Sequence, residues 1–161
     1  LQERGIAISD EAIRKGLAEV CSMTGLMGRW QTIDEKPLTI CDTGHNGGGM
    51  QYIVRQLQQT PHKRLHIVIG MVNDKDVDSV LRLLPRDAIY YFTQASVKRA
   101  MPAGELARKA SRLQGAEEGA FQDVPSAYRA AKRNASDNDL IFIGGSTFVV
   151  ADLLADILPS E

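Results

Sequence analysis

Apolar positions along this chain recur in two periods, one of about 3.6 and one of 2, and the two periods take turns. Ala12, Ile13, Leu17 and Val20 follow the helical period behind Ser9-Asp10-Glu11, a capping serine and two acids, which predicts a helix over about 9–20. Gly16 weakens that helix by about 1 kcal/mol relative to alanine. Cys21–Gly28, with two glycines and a serine, reads as a connector. Arg29–Asp34 and Leu38–Cys41 are β-favouring runs around the turn Asp34-Glu35-Lys36-Pro37, which predicts an antiparallel hairpin.

From there helix and strand alternate. A helical pattern over about 47–59 precedes the nearly continuous apolar run Leu65–Gly70, as in a strand covered on both faces. Asp76–Leu84 carries Val77, Val80, Leu81 and Leu84 on one helical face, and Ala88–Thr93 is the next strand. Pro102 and Gly104 introduce a helix over Glu105–Leu113. Ala120–Val124 reads as a weak strand, and a helix runs from Pro125 to about Asn134. The strand Asp139–Ile143, the loop Gly144-Gly145-Ser146 and the helix Thr147–Leu158 complete the series. Repeated strand–helix units with short connections predict a three-layer, Rossmann-like α/β domain. Its sheet is mainly parallel, with an antiparallel hairpin strand at the N-terminal side and helices on both faces.

Composition narrows the function. Nineteen basic and twenty acidic residues give a net charge of −1, so bulk electrostatics do not point to nucleic acid. No apolar run approaches the roughly 20 residues that span a bilayer, so a membrane partner is not expected. The two cysteines, Cys21 and Cys41, form neither a disulfide framework nor a metal pattern, and the expected setting is the reducing cytoplasm.

In a parallel sheet the ligand side is set by the loops after the strands. Here Asp42-Thr43-Gly44-His45-Asn46-Gly47-Gly48-Gly49 follows one strand, and Gly70–Asp76, Thr93–Arg99 and Gly144–Thr147 follow three others. All four are expected to open on one edge. Taken singly they are ambiguous. Asp42 serves a turn cap as readily as a ligand, and His45 can be an ordinary loop histidine. Ser146 is a helix cap whose geometry also binds carboxylate or phosphate. Lys75 and the pair Lys98-Arg99 can be solvated charges. His62 and His66 have no partner spacing for a metal. The chain lacks a Walker A loop, the dinucleotide fingerprint and a hydrolase elbow, which disfavours an oxidoreductase or an α/β-hydrolase.

Five motifs in order nevertheless resemble a known family. Gly28-Arg29-Trp30-Gln31 and, thirteen residues after the arginine, Asp42-Thr43-Gly44-His45-Asn46 are similar to the P-G-R-[FWL]-[EQ] and D-x-A-H-N-P patterns of the C-terminal domain of folylpolyglutamate synthase/dihydrofolate synthase, in the Mur ligase superfamily. Gly70–Asp76 resembles its G-M-x-x-D-K-D, Lys98–Pro102 its R-A-x-P, and Gly144–Phe148 its G-S-x-[FY]. Gly44 stands where the pattern has alanine, Gly47 where it has proline, and Met27 where it has the first proline.

The resemblance implies an ATP-dependent ligase that adds L-glutamate to dihydropteroate or folate through an acyl phosphate. Arg29 and Asp42 would contact the nucleotide. His45 would be catalytic, and His45, Asn46 and Ser146 would meet the glutamate side. No metal ligand is assigned here, because Mg2+ and most of the ATP and folate sites belong in this family to an N-terminal ATPase domain. Residues 1–27 would be the end of that domain and the linker, and residues 28–161 the glutamate ligase domain. A monomer, inactive as a fragment, is expected. A cell-wall Mur-type ligase and a stand-alone amino-acid- or nucleotide-binding domain remain the alternatives.

Overall fold

A computed structural model describes residues 5, 7–73, 76–114 and 119–158. Asp74 and Lys75, inside the third motif, lie outside the described residues. Two short helices come first, α1 (Asp10–Ala18) and α2 (Val20–Thr24). The Ser9 hydroxyl accepts the Ala12 N–H at 3.1 Å, so the predicted cap is present. The helix breaks at Glu19 and resumes through Cys21, so part of the predicted connector is helical. It stops at Gly25, whose φ of +68° is the left-handed cap that glycine tolerates. Neither helix buries a residue, and Ile13, Leu17 and Met23 stay exposed.

The sheet holds β1 (Gln31–Glu35), β2 (Leu38–Asp42), β3 (Leu65–Ile69), β4 (Ile89–Phe92) and β5 (Leu140–Gly144) in the order β1-β2-β5-β3-β4. β1 pairs antiparallel with β2 across the two-residue loop Lys36-Pro37, whose peptide is cis, and a register shift falls at Ile33. All other pairings are parallel. The expected three-layer architecture with its antiparallel hairpin strand is present.

Side chains alternate across each strand and so divide the core in two. Ile67, Ile69, Phe92, Leu140 and Phe142 pack with α3 (Gly47–Gln59), α4 (Val77–Leu83) and α5 (Ala103–Gln114) on one face. Cys41, Val68, Tyr91, Ile141 and Ile143 pack with α6 (Val124–Asn134) and α7 (Thr147–Ile157) on the other. Each large side chain so buried contributes about 1.5–3 kcal/mol. This burial, more than helix propensity, fixes where the helices lie.

The weak strand expected at Ala120–Val124 does not form. Only Ala120 bridges to Phe92, and Asp123 instead caps α6 by accepting the Ser126 N–H at 2.7 Å. Pro125 occupies the first turn of that helix, where its missing N–H costs nothing.

The amino edge of the sheet is tied by a buried carboxylate. Asp139 accepts from Arg64 Nη2 at 2.7 Å and Nε at 3.1 Å, and from the backbone N–H groups of Arg64 and Ser136. Burial alone would raise its pKa, but the Arg64 fork and the Ser136 bonds hold it well below the usual carboxylate range.

Candidate functional site

Parallel strands β2, β3, β4 and β5 end on the same edge, at Asp42, Ile69, Phe92 and Gly144. β5 lies between β2 and β3, yet its following helix α7 packs on one face while α3 and α4, which follow β2 and β3, pack on the other. Such a reversal opens a crevice beside the carboxyl end of the strand, where α/β sheets bind ligands. All four loops expected to converge do contribute to this edge.

A cavity of about 240 Å³ lies there, lined by His45, Val72, Arg99, Ser146, Thr147 and Phe148. That is less than the roughly 300 Å³ at which pockets for drug-sized ligands begin, and suits something the size of an amino acid. Ser146 is 3% exposed and caps α7, its Oγ accepting the Phe148 N–H at 3.2 Å. A serine hydroxyl can donate as well as accept, and among the described residues its proton makes no hydrogen bond. The first turn of α7, through Thr147 and Phe148, also lines the cavity, and the leading N–H groups of a helix have no partner within it.

His45 is half-buried, and its Nδ1 lies 3.0 Å from the Thr43 carbonyl oxygen. A carbonyl only accepts, so in the neutral ring Nδ1 carries the proton and Nε2 is left as an acceptor. Arg99 stands over the Phe148 ring, its guanidinium carbon 4.8 Å from the centroid. The sequence left this arginine undecided between solvent and site. Its pairing with Phe148 joins two loops 49 positions apart, which no local pattern reveals.

Other predicted residues occupy the neighbouring turn. Asp42 accepts the Trp30 N–H at 2.8 Å through one oxygen and the Gly44 N–H at 2.7 Å through the other. It staples the segment before β1 to the loop after β2. Trp30 is held there at a φ of +43°, a strained conformation for a tryptophan, while its half-buried ring packs on the core. Arg29 is exposed on this same turn, outside the cavity lining. Gly28 makes the turn possible. Its φ is +72°, and a Cβ there would meet Thr43 Cγ2 at 2.8 Å and Val150 Cγ1 at 3.0 Å. Asn46 is exposed and caps α3 by accepting the Gly49 N–H at 2.9 Å.

A roomier trough of about 560 Å³ runs between Met27 and α7, along Val150, Ala151, Leu154, Ala155 and Leu158. It is mostly apolar and has few converging polar groups, so the smaller cavity is the better site. No three His, Cys, Asp or Glu side chains gather as a metal site among the described residues. No helix among them is long and apolar enough to cross a membrane.

Residues 28–147, which hold every residue lining the smaller cavity except Phe148, match the family described as Mur ligase, glutamate ligase domain. The chain belongs to that family. Over 156 residues it is 30% identical to the dihydrofolate synthase/folylpolyglutamate synthase of Escherichia coli, covering 96% of this chain and 35% of that protein. A solved structure of E. coli FolC in complex with DHPP and ADP superimposes with a TM-score of 0.81 at 30% identity, over 95% of this chain and 35% of that one. A bifunctional folylpolyglutamate synthase/dihydrofolate synthase with Mn, AMPPNP and L-glutamate bound does so with a TM-score of 0.78 at 34% identity, over 94% and 36%. The chain thus spans about a third of the length of these three relatives.

Proposed function

We propose that this chain is the amino-acid-accepting domain of an ATP-dependent ligase that joins L-glutamate to dihydropteroate or folate. The observation that carries this is the 240 Å³ cavity at the carboxyl edge of the sheet, where Ser146, Arg99 and His45 converge. It suits a small zwitterion with an extra carboxylate. Family membership and the relatives' bound L-glutamate, nucleotides and divalent metal point the same way.

The chemistry divides between two sites. A substrate carboxylate takes the γ-phosphoryl group of ATP, giving an acyl phosphate and ADP. The glutamate amine, freed of a proton, attacks the acyl carbonyl. The tetrahedral intermediate then expels inorganic phosphate and leaves an amide.

His45 Nε2, free to accept because Nδ1 is engaged with Thr43, would hold the ammonium group and take its proton. The Ser146 hydroxyl and the first N–H groups of α7 would hold a carboxylate. Asn46 has its side-chain N–H groups to offer from the adjoining cap. Arg29, exposed beside the strained Trp30 turn, would meet the nucleotide phosphates, where a guanidinium suits developing charge. Asp42 would reach the nucleotide with lone pairs not used on Trp30 and Gly44. Mg2+ would be held mainly by the family's N-terminal ATPase domain.

Residues 1–27 are assigned to the end of a preceding ATPase domain and its linker, and 28–161 to the ligase domain. Leu17 at 72% and Met23 at 69% exposure fit helices that pack on another domain. The whole enzyme is assigned as a cytoplasmic monomer and the fragment as inactive.

The test is the complete reading frame supplied with ATP, Mg2+, dihydropteroate and labelled glutamate. Glutamate-dependent phosphate release with label in the folate product is the expected result. Phosphate release that ignores glutamate would overturn the assignment.

A further inference from the structure

Resting on the assignment of Arg29 to the nucleotide above, we infer that Gln31 is the positioning residue for that arginine, closing the turn that presents it by accepting the Gly28 N–H. Arg29 sits between two residues in the left-handed region, Gly28 at φ +72° and Trp30 at φ +43°. Glycine tolerates that conformation and tryptophan resists it, so local preference does not hold this turn. Such a conformation persists only where its surroundings over-determine it, and strained residues of this kind gather at functional positions.

Three hydrogen bonds hold the turn. The Gly28 carbonyl accepts the Thr43 N–H at 2.9 Å, and Asp42 accepts the Trp30 N–H at 2.8 Å, which ties the turn to the loop after β2. The third closes the turn on itself, the Gly28 N–H donating to Gln31 Oε1 at 2.7 Å. Gly28 is buried and Gln31 half-buried, so loss of that oxygen leaves a buried donor unpaired. Gln31 is anchored in turn as the first residue of β1, in register with Cys41 of β2. Above this backbone the Arg29 side chain is exposed, and among the described residues it makes no hydrogen bond or ion pair. A guanidinium on a fixed stem loses less freedom on meeting a phosphate than one on a mobile loop. Asp42 and Thr43 also serve the His45 loop, through the bonds of Asp42 to Gly44 and of the Thr43 carbonyl to His45. The Gln31 side chain bonds only within the Arg29 turn, so its influence is confined to the nucleotide side.

The experiment measures kcat and KM for ATP and for glutamate in the full-length protein, with urea unfolding of every variant to confirm the fold. Gln31→Met keeps the side-chain length without the acceptor, Gln31→Val suits a strand and also lacks it, and Gln31→Glu keeps an oxygen for the Gly28 N–H. Each is made alone and together with Arg29→Gln. Loss of the hydrogen bond should lower kcat/KM for ATP about tenfold and leave the KM for glutamate within about twofold. Gln31→Glu should recover part of that loss. In the Arg29→Gln background the Gln31 substitutions should change kcat/KM for ATP by less than about twofold, because a residue that acts through Arg29 has nothing left to position. A full-sized effect in that background overturns the proposal. An equal loss in Gln31→Glu and Gln31→Met, or a KM for glutamate that rises in step with the ATP effect, overturns it as well. Unchanged ATP kinetics in the Gln31 variants, with Arg29→Gln impaired, overturns the role of Gln31 and leaves the Arg29 assignment standing. Unchanged ATP kinetics in Arg29→Gln, with wild type active, overturns both.

Discussion

Replacing Gly47 by proline should stabilise this protein, although three consecutive glycines open α3 in the loop that carries His45. Gly47 is the first residue of α3, behind the Asn46 cap. The N–H at that position has no partner inside any helix, so proline removes nothing that was bonded. Asn46 has φ −131° and ψ 167°, extended as the residue before a proline prefers. A Cβ at position 47 would meet only Ser79 Oγ, at 4.0 Å. The native state therefore changes little, while the unfolded chain loses the freedom of a glycine. The gain is about 1 kcal/mol, or a rise in Tm of about 2–4 °C for a domain of this size. The matched control is Gly49→Pro. The Gly49 N–H donates to Asn46 Oδ1 at 2.9 Å, so proline there breaks the cap and should destabilise by about 1–2 kcal/mol. Urea unfolding with circular dichroism at both positions reads the contrast. Two variants destabilised alike, with unchanged m-values, would show that the Gly47 N–H is used in the native state and refute the reasoning.

Gly28→Ala should cost about 2 kcal/mol, because it adds a Cβ at 2.8 Å from Thr43 Cγ2 and strains a φ of +72°; a urea midpoint equal to wild type contradicts this. Asp139 is held below its ordinary range when folded and returns to about 3.9 when unfolded, so its stabilisation is present above about pH 4 and lost as pH falls below it. Urea midpoints should therefore drop between about pH 5 and pH 3, and Asp139→Asn should flatten that drop while lowering stability by about 3 kcal/mol at neutral pH. Burial, and then the neighbouring Asp42, push the Cys41 thiol up to about 11. A thiol reagent at about pH 8 should thus modify Cys21 alone in the native chain and both cysteines in denaturant, whereas two fast equivalents under native conditions would contradict the packing.

The strand–helix alternation was legible because the central strands are covered on both faces. Leu65–Ile69 and Leu140–Gly144 are buried throughout, and their apolar runs say so in the sequence. Ala120–Val124 misled because β-favouring residues there precede Asp123-Val124-Pro125, a cap and first-turn proline that announce a helix more strongly. Four loops converging on one edge followed from parallel topology alone. What each loop side chain does was less visible. Asn46 stood in a motif and was assigned to ligand, yet its carbonyl oxygen is spent on capping α3. Asp42 was ambiguous between turn and ligand, and it holds the turn with both oxygens. The strain at Trp30 depends on that staple and has no signature in residue type. Arg99 could not be distinguished from a solvated charge until β4 and β5 brought it over Phe148.

A titration of L-glutamate into the 15N-labelled chain, followed by NMR, tests the central claim most directly. Saturable shifts centred on the amides of His45, Ser146, Thr147 and Phe148, absent with L-alanine and lost in Ser146→Ala, are the expected result. Shifts centred on the trough along Leu154 and Leu158, or none at those four amides up to tens of millimolar glutamate, would contradict it.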